Sequence, residues 1–332
     1  MKRKRWLFFL ALLPIVGLMW AMKSAASWRP EKVVNSSDVS DVIAVRLAPD
    51  GKAVLTVDNR GDAFCYDVAT GRPLFRAHDA QGTVSGKFSP DGTRVLFLNP
   101  SQGDKILRFN VFDTRTGSLL YVLQRQVNWE HNISESSEDA LTDVEWSKDG
   151  RRVLMTYREG FIAVDARTGQ QLASSRWVFA PDELFKELDV VSIAPDQKLL
   201  VASAGNPTRV QLFDLSSGRR IKDLGEGDNA QMSSDEWAVW KQPLPDKRPA
   251  FFSGVRVADG ELLWSTDAMP IFSPNGKLAY VRGKTGLDVF DVHTGAKLRT
   301  LPGPLSDNFA PSPDGDWLYE ARDGAIWKWR AR

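Results

Sequence analysis

The stretch Phe272–Leu301, FSPNGKLAYVRGKTGLDVFDVHTGAKLRTL, decides how the rest of the chain is read. It carries two turn signals, Ser273-Pro274-Asn275-Gly276 and Asp291-Val292-His293-Thr294-Gly295. Pro274 presets φ and lacks an amide proton, while Asn275 and Gly276 tolerate the left-handed conformation, so the chain reverses there. In the second turn the Asp291 carboxylate and the Thr294 hydroxyl reach nearby backbone groups, and Gly295 takes positive φ. The runs Lys277–Val281 and Leu287–Phe290 alternate in polarity and are too short for stable helices, so they read as strands. The stretch predicts a unit of four short strands.

Six further copies follow the same grammar. Their first turns are Ala48-Pro49-Asp50-Gly51, Ser89-Pro90-Asp91-Gly92, Ser147-Lys148-Asp149-Gly150, Ala194-Pro195-Asp196-Gln197, Ser233-Ser234-Asp235-Glu236 and Ser312-Pro313-Asp314-Gly315. The second turns are headed by Asp67, Asp113, Asp165 and Asp214, with Arg256 in that place in the degenerate fifth copy. Together with Asp291 these aspartates are read as structural. The turn positions Asp50, Asp91, Asp149, Asp196, Asp235, Asn275 and Asp314 are 41, 58, 47, 39, 40 and 39 residues apart. Units of that period cannot bury their own faces and become stable when packed side by side in a ring. The seventh copy ends in Ala325-Ile326-Trp327-Lys328-Trp329 without a fourth strand. Glu31-Lys32-Val33-Val34, just ahead of the first copy, is the available donor.

The repeated SPDG turn followed by D-x-x-T-G resembles the WD-repeat and YVTN-type seven-bladed β-propellers, over roughly residues 31–332. The Gly-His pair typical of WD repeats is missing, the nearest match being Ala77-His78, which favours the looser bacterial-style relatives. Val257-Ala258-Asp259-Gly260-Glu261-Leu262-Leu263-Trp264 is also similar to the repeats of quinoprotein-type propellers. The expected fold is all-β, a seven-bladed propeller of four-stranded antiparallel blades over residues 28–332, preceded by one N-terminal hydrophobic helix within residues 1–27.

That N-terminal segment sets the expected location. Lys2-Arg3-Lys4-Arg5 precedes an uncharged run of 17 residues, Trp6 to Met22, closed by Lys23. As a helix it would span about 25 Å, close to the lower limit for crossing a bilayer core. The expectation is an uncleaved signal anchor with a cytoplasmic amino terminus and an extracytoplasmic propeller, periplasmic in a Gram-negative cell. Cleavage after Ala26, following Ser24-Ala25, is the alternative.

Residues 1–30 carry six positive and no negative charges, which leaves 37 basic and 42 acidic residues in the remainder, a net charge of −5. Without a basic cluster this part lacks the electrostatic footprint of a nucleic-acid binder. The single cysteine, Cys65, excludes an intrachain disulfide, so the fold relies on its core.

In the arrangement the resemblance implies, the short turns lie on one face of a disc. The longer connections lie on the other. These insertions are Arg125 to Ala140, containing Trp129, Glu130, His131 and Asn132; Phe179 to Leu188, containing Leu184-Phe185; and Lys241 to Phe252, containing Lys247 and Arg248. With Trp240 beside the last of them, these residues form the expected partner-binding surface, since loops carry function and partly exposed aromatics anchor partners. Trp146, Trp177, Trp237, Trp264, Trp317, Trp327 and Trp329 read instead as packing residues.

No GxSxG elbow, HExxH, GxxxxGK[ST] loop or CxxC pair is present, so no catalytic residue, metal site or cofactor is assigned. Of the histidines His78, His131 and His293, only His131 has site-like neighbours, and Arg60-Gly61-Asp62 reads as a tight turn. Two functions follow. The first is an interaction scaffold for a protein partner, not an enzyme. The second is a propeller enzyme or small-ligand or metal sensor using the central channel, as in lactonase- or quinoprotein-like relatives.

Overall fold

The computed structural model describes residues 30–35, 41–77, 86–99, 106–126, 141–157, 160–178, 190–194, 196–204, 208–232, 237–242, 251–258, 261–302, 306 and 308–331. The proposed N-terminal helix lies outside these residues. Among the described residues no helix is long and apolar enough to cross a membrane.

The strands form seven four-stranded antiparallel sheets. Six are simple meanders, spanning residues 42–77, 87–126, 141–176, 190–226, 228–266 and 271–302, here called blades 1 to 6. Blade 7 takes three strands from residues 309–330 and its fourth from Glu31–Asn35. That closing strand runs antiparallel to Ala325–Arg330, with Glu31 opposite Lys328 and Asn35 opposite Ala325.

Packing between the sheets closes the ring. Each apolar cluster joins two neighbouring blades, because a strand pair presents alternate side chains to opposite faces. Leu55 and Cys65 of blade 1 pack with Val95 and Phe97 of blade 2. Phe109 and Leu123 meet Trp146 and Met155 between blades 2 and 3. The pattern continues through Trp177 with Phe213, Val201 with Val255, Trp264 with Ala279, and Leu287 with Trp329. Val34, Tyr319 and Ile326 of blade 7 then meet Val54 and Tyr66 of blade 1. Trp146, Trp177, Trp264 and Trp329 are buried as expected, while Trp317 and Trp327 are half-buried. Cys65 is buried in its strand, and burial pushes its thiol up to about 12.

The ladder between third and fourth strands is broken in every blade, at the same place in blades 1 to 6 and two residues farther from the short turn in blade 7, with a second break at Leu224 in blade 4. One residue of the outer strand is skipped: Leu74, Leu120, Leu172, Ile221, Leu263, Leu298 and, on the closing strand, Val33. Such a bulge bends the strand and increases its twist, which turns the outer edge of each blade away from flat edge-to-edge pairing. The aliphatic residue three positions after each turn glycine is the sequence mark of this bulge.

Blade 5 departs from the pattern where its sequence does. Five residues separate Met232 from its partner Ala238, against six between Leu47 and Val54 or between Trp146 and Val153. Arg256, in the place of the turn aspartate, forms an ion pair with Glu261 instead.

Candidate functional site

Strand direction alternates within each blade, so the first-to-second and third-to-fourth turns share one face of the ring. The second-to-third and inter-blade connections share the other. The short-turn face is held by its aspartates. Asp113 Oδ1 accepts from the Thr116 amide at 2.7 Å, the Thr116 hydroxyl at 2.8 Å and the Arg115 amide at 3.0 Å. Asp165 repeats this with Thr168 at 2.8 Å for both groups, and Asp291 with Thr294 at 2.8 and 2.9 Å. Asp67 accepts from Thr70, and Asp214 from Ser216 and Ser217. In each turn the glycine amide donates to the aspartate's own carbonyl, as Gly117 does to Asp113 at 2.9 Å.

These donors hold the carboxyls below the usual range. The Thr70 and Thr168 hydroxyls are the leading cause at Asp67 and Asp165. At Asp113 and Asp291 partial burial pulls upward and is outweighed by the Thr116 and Thr294 donors. His293 is exposed, and its amide donates to Asp291 at 3.0 Å. These five aspartates are therefore engaged in turn geometry.

Trp129, Glu130, His131, Asn132, Leu184, Phe185, Lys247 and Arg248, expected on the opposite face, lie outside the described residues. Trp240 falls within the strand Trp237–Gln242, opposite Ser253. The Arg60-Gly61-Asp62 tripeptide is a tight turn on this face. Gly61 has φ 85°, and Asp58 Oδ1 accepts the amides of Arg60 and Asp62, both at 2.9 Å.

Sequence reasoning missed a group on the inner strands. Arg46, Lys87 and Glu145 each stand two residues before the first turn of their blade and occupy equivalent ladder positions, opposite Leu55, Leu96 and Leu154. Equivalent positions on neighbouring inner strands converge on the axis of the ring. Lys87 Nζ lies 2.9 Å from Glu145 and 3.5 Å from Asp143. Burial works against the Lys87 charge, but Glu145 and Asp143 outweigh it and raise the ammonium pKa. Burial also raises Asp143, against the pull of Lys87, and lowers Arg46, against the pull of Glu145. The same contact is braced from behind: the Trp146 indole donates to the Lys87 carbonyl at 2.9 Å, and the Arg94 guanidinium lies 4.8 Å above that indole. The group links blades 2 and 3 and offers Arg46 to the channel. Among the described residues no cluster of His, Cys, Asp or Glu could hold a metal ion.

A ring of radially packed four-stranded antiparallel blades, closed by a strand from the other end of the chain, defines a β-propeller. More particularly, the chain belongs to the family described as outer membrane protein assembly factor BamB, whose model matches residues 18–266. This corrects the WD-repeat and YVTN resemblance. Turns of the SPDG kind serve any short four-stranded blade, and the features that separate the families lie elsewhere. The propeller is also similar in structure to a hydrazine synthase chain from Kuenenia stuttgartiensis, with a TM-score of 0.60 and 17% identity over 88% of this chain and 96% of that one. At that identity the likeness concerns the fold. Curated proteins give no match.

Proposed function

We propose that this protein is a membrane-tethered, extracytoplasmic interaction scaffold that presents the loop-bearing face of its propeller to another protein of the cell envelope. The observation that carries this reading is the family match over residues 18–266, a family described by a role in outer membrane protein assembly. The division of labour between the two faces supports it. One face is built of minimal turns whose aspartates are spent on backbone amides, while the three long insertions connect strand ends that point to the other. The tether is the apolar run Trp6 to Met22, and the protein would lie on the periplasmic side of a Gram-negative membrane.

The test is cross-linking in intact membranes with the full chain and with a variant in which Gln126–Glu138 is replaced by a short Gly/Ser linker. Loss of the cross-linked partner with unchanged thermal unfolding supports the reading. Undiminished capture of every partner by the variant, and by a second variant with Lys247 and Arg248 changed to Ala, rejects it.

One observation favours a second reading, a small-ligand sensor in the channel: Arg46, Lys87, Asp143 and Glu145 gather ionisable groups near the axis. Metal analysis and a thermal-shift screen of small carboxylates, sugars and quinones separate the two. A bound ion or a large shift abolished by Arg46→Met favours the sensor.

A further inference from the structure

We infer that the short-turn face is the membrane-proximal side of the propeller, lying against lipid headgroups, and that the loop-bearing face is held one disc thickness farther out. This rests on the tether of the reading above, and its direction comes from the closing strand. The third strand of blade 7, Ala325–Arg330, begins at the Asp323-Gly324 hairpin on the loop-bearing side. It ends at the short turns, where the Ala331 amide donates to the carbonyl of Asp316 in the Ser312–Asp316 turn. Glu31–Asn35 runs antiparallel to it, so Glu31 is the end near the short turns and Asn35 the end near the loops. A second contact agrees: the Val33 carbonyl packs against Gly71, the glycine of a short turn in blade 1. The chain ahead of Glu31 therefore leaves the ring toward the short-turn side.

The leash is short. Eight residues, Lys23 to Pro30, separate the apolar run from the closing strand, and fully extended they reach about 29 Å at ~3.6 Å each. Six-residue strands make the disc about 20 Å tall. A tether attached at the short-turn rim brings that rim to the bilayer more readily than the opposite loops, which stand one disc height farther along the chain.

The near face carries charges of both signs, since its turn aspartates stay ionised. The turn aspartates are folded back onto backbone amides, as at Asp149 with the Arg151 amide at 3.0 Å. Lys148, Arg151, Arg167 and Lys277 on the same turns have exposed side chains. These cations stand beside exposed, ionised aspartates such as Asp91 and Asp149, so any pull of an anionic surface on this face is local to the cations and not a property of the whole face.

The test uses the full chain in vesicles that carry a nitroxide-labelled headgroup lipid. Single-cysteine variants Arg167→Cys and Lys277→Cys mark the short-turn face, Lys284→Cys marks the loop-bearing face, and each carries a thiol-reactive fluorophore. Native Cys65 is buried with its thiol pushed up to about 12, so it takes little label. We expect the fluorophores at 167 and 277 to be quenched several-fold more strongly than that at 284. A chain that floats with the vesicles but is quenched equally at all three positions, or most at 284, overturns the orientation alone. A chain that fails to float overturns the tether and the orientation with it. Repeating the comparison with anionic lipid omitted tests that local pull: a fall in quenching at 167 and 277 supports it, and no change shows that the leash alone sets the orientation.

Discussion

The carbonyl of Val33, on the closing strand, fills the space where a Cβ on Gly71 would stand. Gly71 has φ 68° and heads the outer strand of blade 1, so one glycine serves both its own turn and the seam that closes the ring. Gly71→Ala should lower stability by about 2–3 kcal/mol, combining left-handed strain with a backbone collision that no rotamer relieves. Gly51→Ala is the control. Its φ is 72°, but the nearest atom to an added Cβ is Pro313 Cδ at 4.0 Å. It should cost about 1 kcal/mol. Urea unfolding of both variants checks the difference.

Gln197 stands where other blades place glycine and is held at φ 56°. Its side-chain amide nitrogen is buried and has no hydrogen-bond partner among the described residues. Gln197→Gly should therefore stabilise the protein by about 1 kcal/mol, since glycine takes this conformation without strain. A higher urea midpoint with an unchanged m-value is the expected result.

The turn aspartates predict acid behaviour. Their folded pKa values lie below the unfolded ones, so their stabilisation is complete above the unfolded carboxylate range and is lost as pH falls through the folded values. Urea midpoints measured from pH 7 down to pH 2 should drop steeply below about pH 4. Asp113→Asn should lower stability at pH 7 by about 1 kcal/mol, seen as a lower midpoint, and flatten the acid limb.

Lys87 predicts the opposite slope. Its folded pKa is raised, so its contribution is full below the unfolded lysine value and is lost only as pH rises through the folded one. Lys87→Met leaves Asp143 and Glu145 without their shared cation. It should cost about 1–3 kcal/mol at pH 7, discounted from a fully buried pair because the Lys87 side chain is 31% exposed. Asp143 already has a raised pKa, and its neutral form is favoured on folding, so the deficit of the variant should shrink as pH falls toward 4.

Strands and turns were legible because their signals are local: alternation over four to six residues, and proline, aspartate and glycine at fixed offsets. Donation by Glu31–Val34 was legible because the last repeat lacked an outer strand. The bulges at Leu74, Leu120 and their equivalents were not, since a skipped residue is defined only by the strand across from it. Nor was the grouping of Arg46, Lys87, Asp143 and Glu145, whose members come from three different blades. Aligning the repeats on the first residue of each SPDG-type turn would have placed Arg46, Lys87 and Glu145 in one ring. The WD-repeat and YVTN likeness was misread because the most visible repeats, the turns, are the part that propeller families share, whereas the quinoprotein-like run Val257–Trp264 pointed toward the family that matches.

Hydrogen exchange at the amides of Glu31–Asn35 tests the closed ring most directly, because the scaffold and its orientation both depend on this strand. The account predicts protection comparable to that of the neighbouring strand Ala325–Arg330 and lost together with it on unfolding. Exchange of those five residues at the rate of a free peptide, while Ala325–Arg330 stays protected, would contradict it.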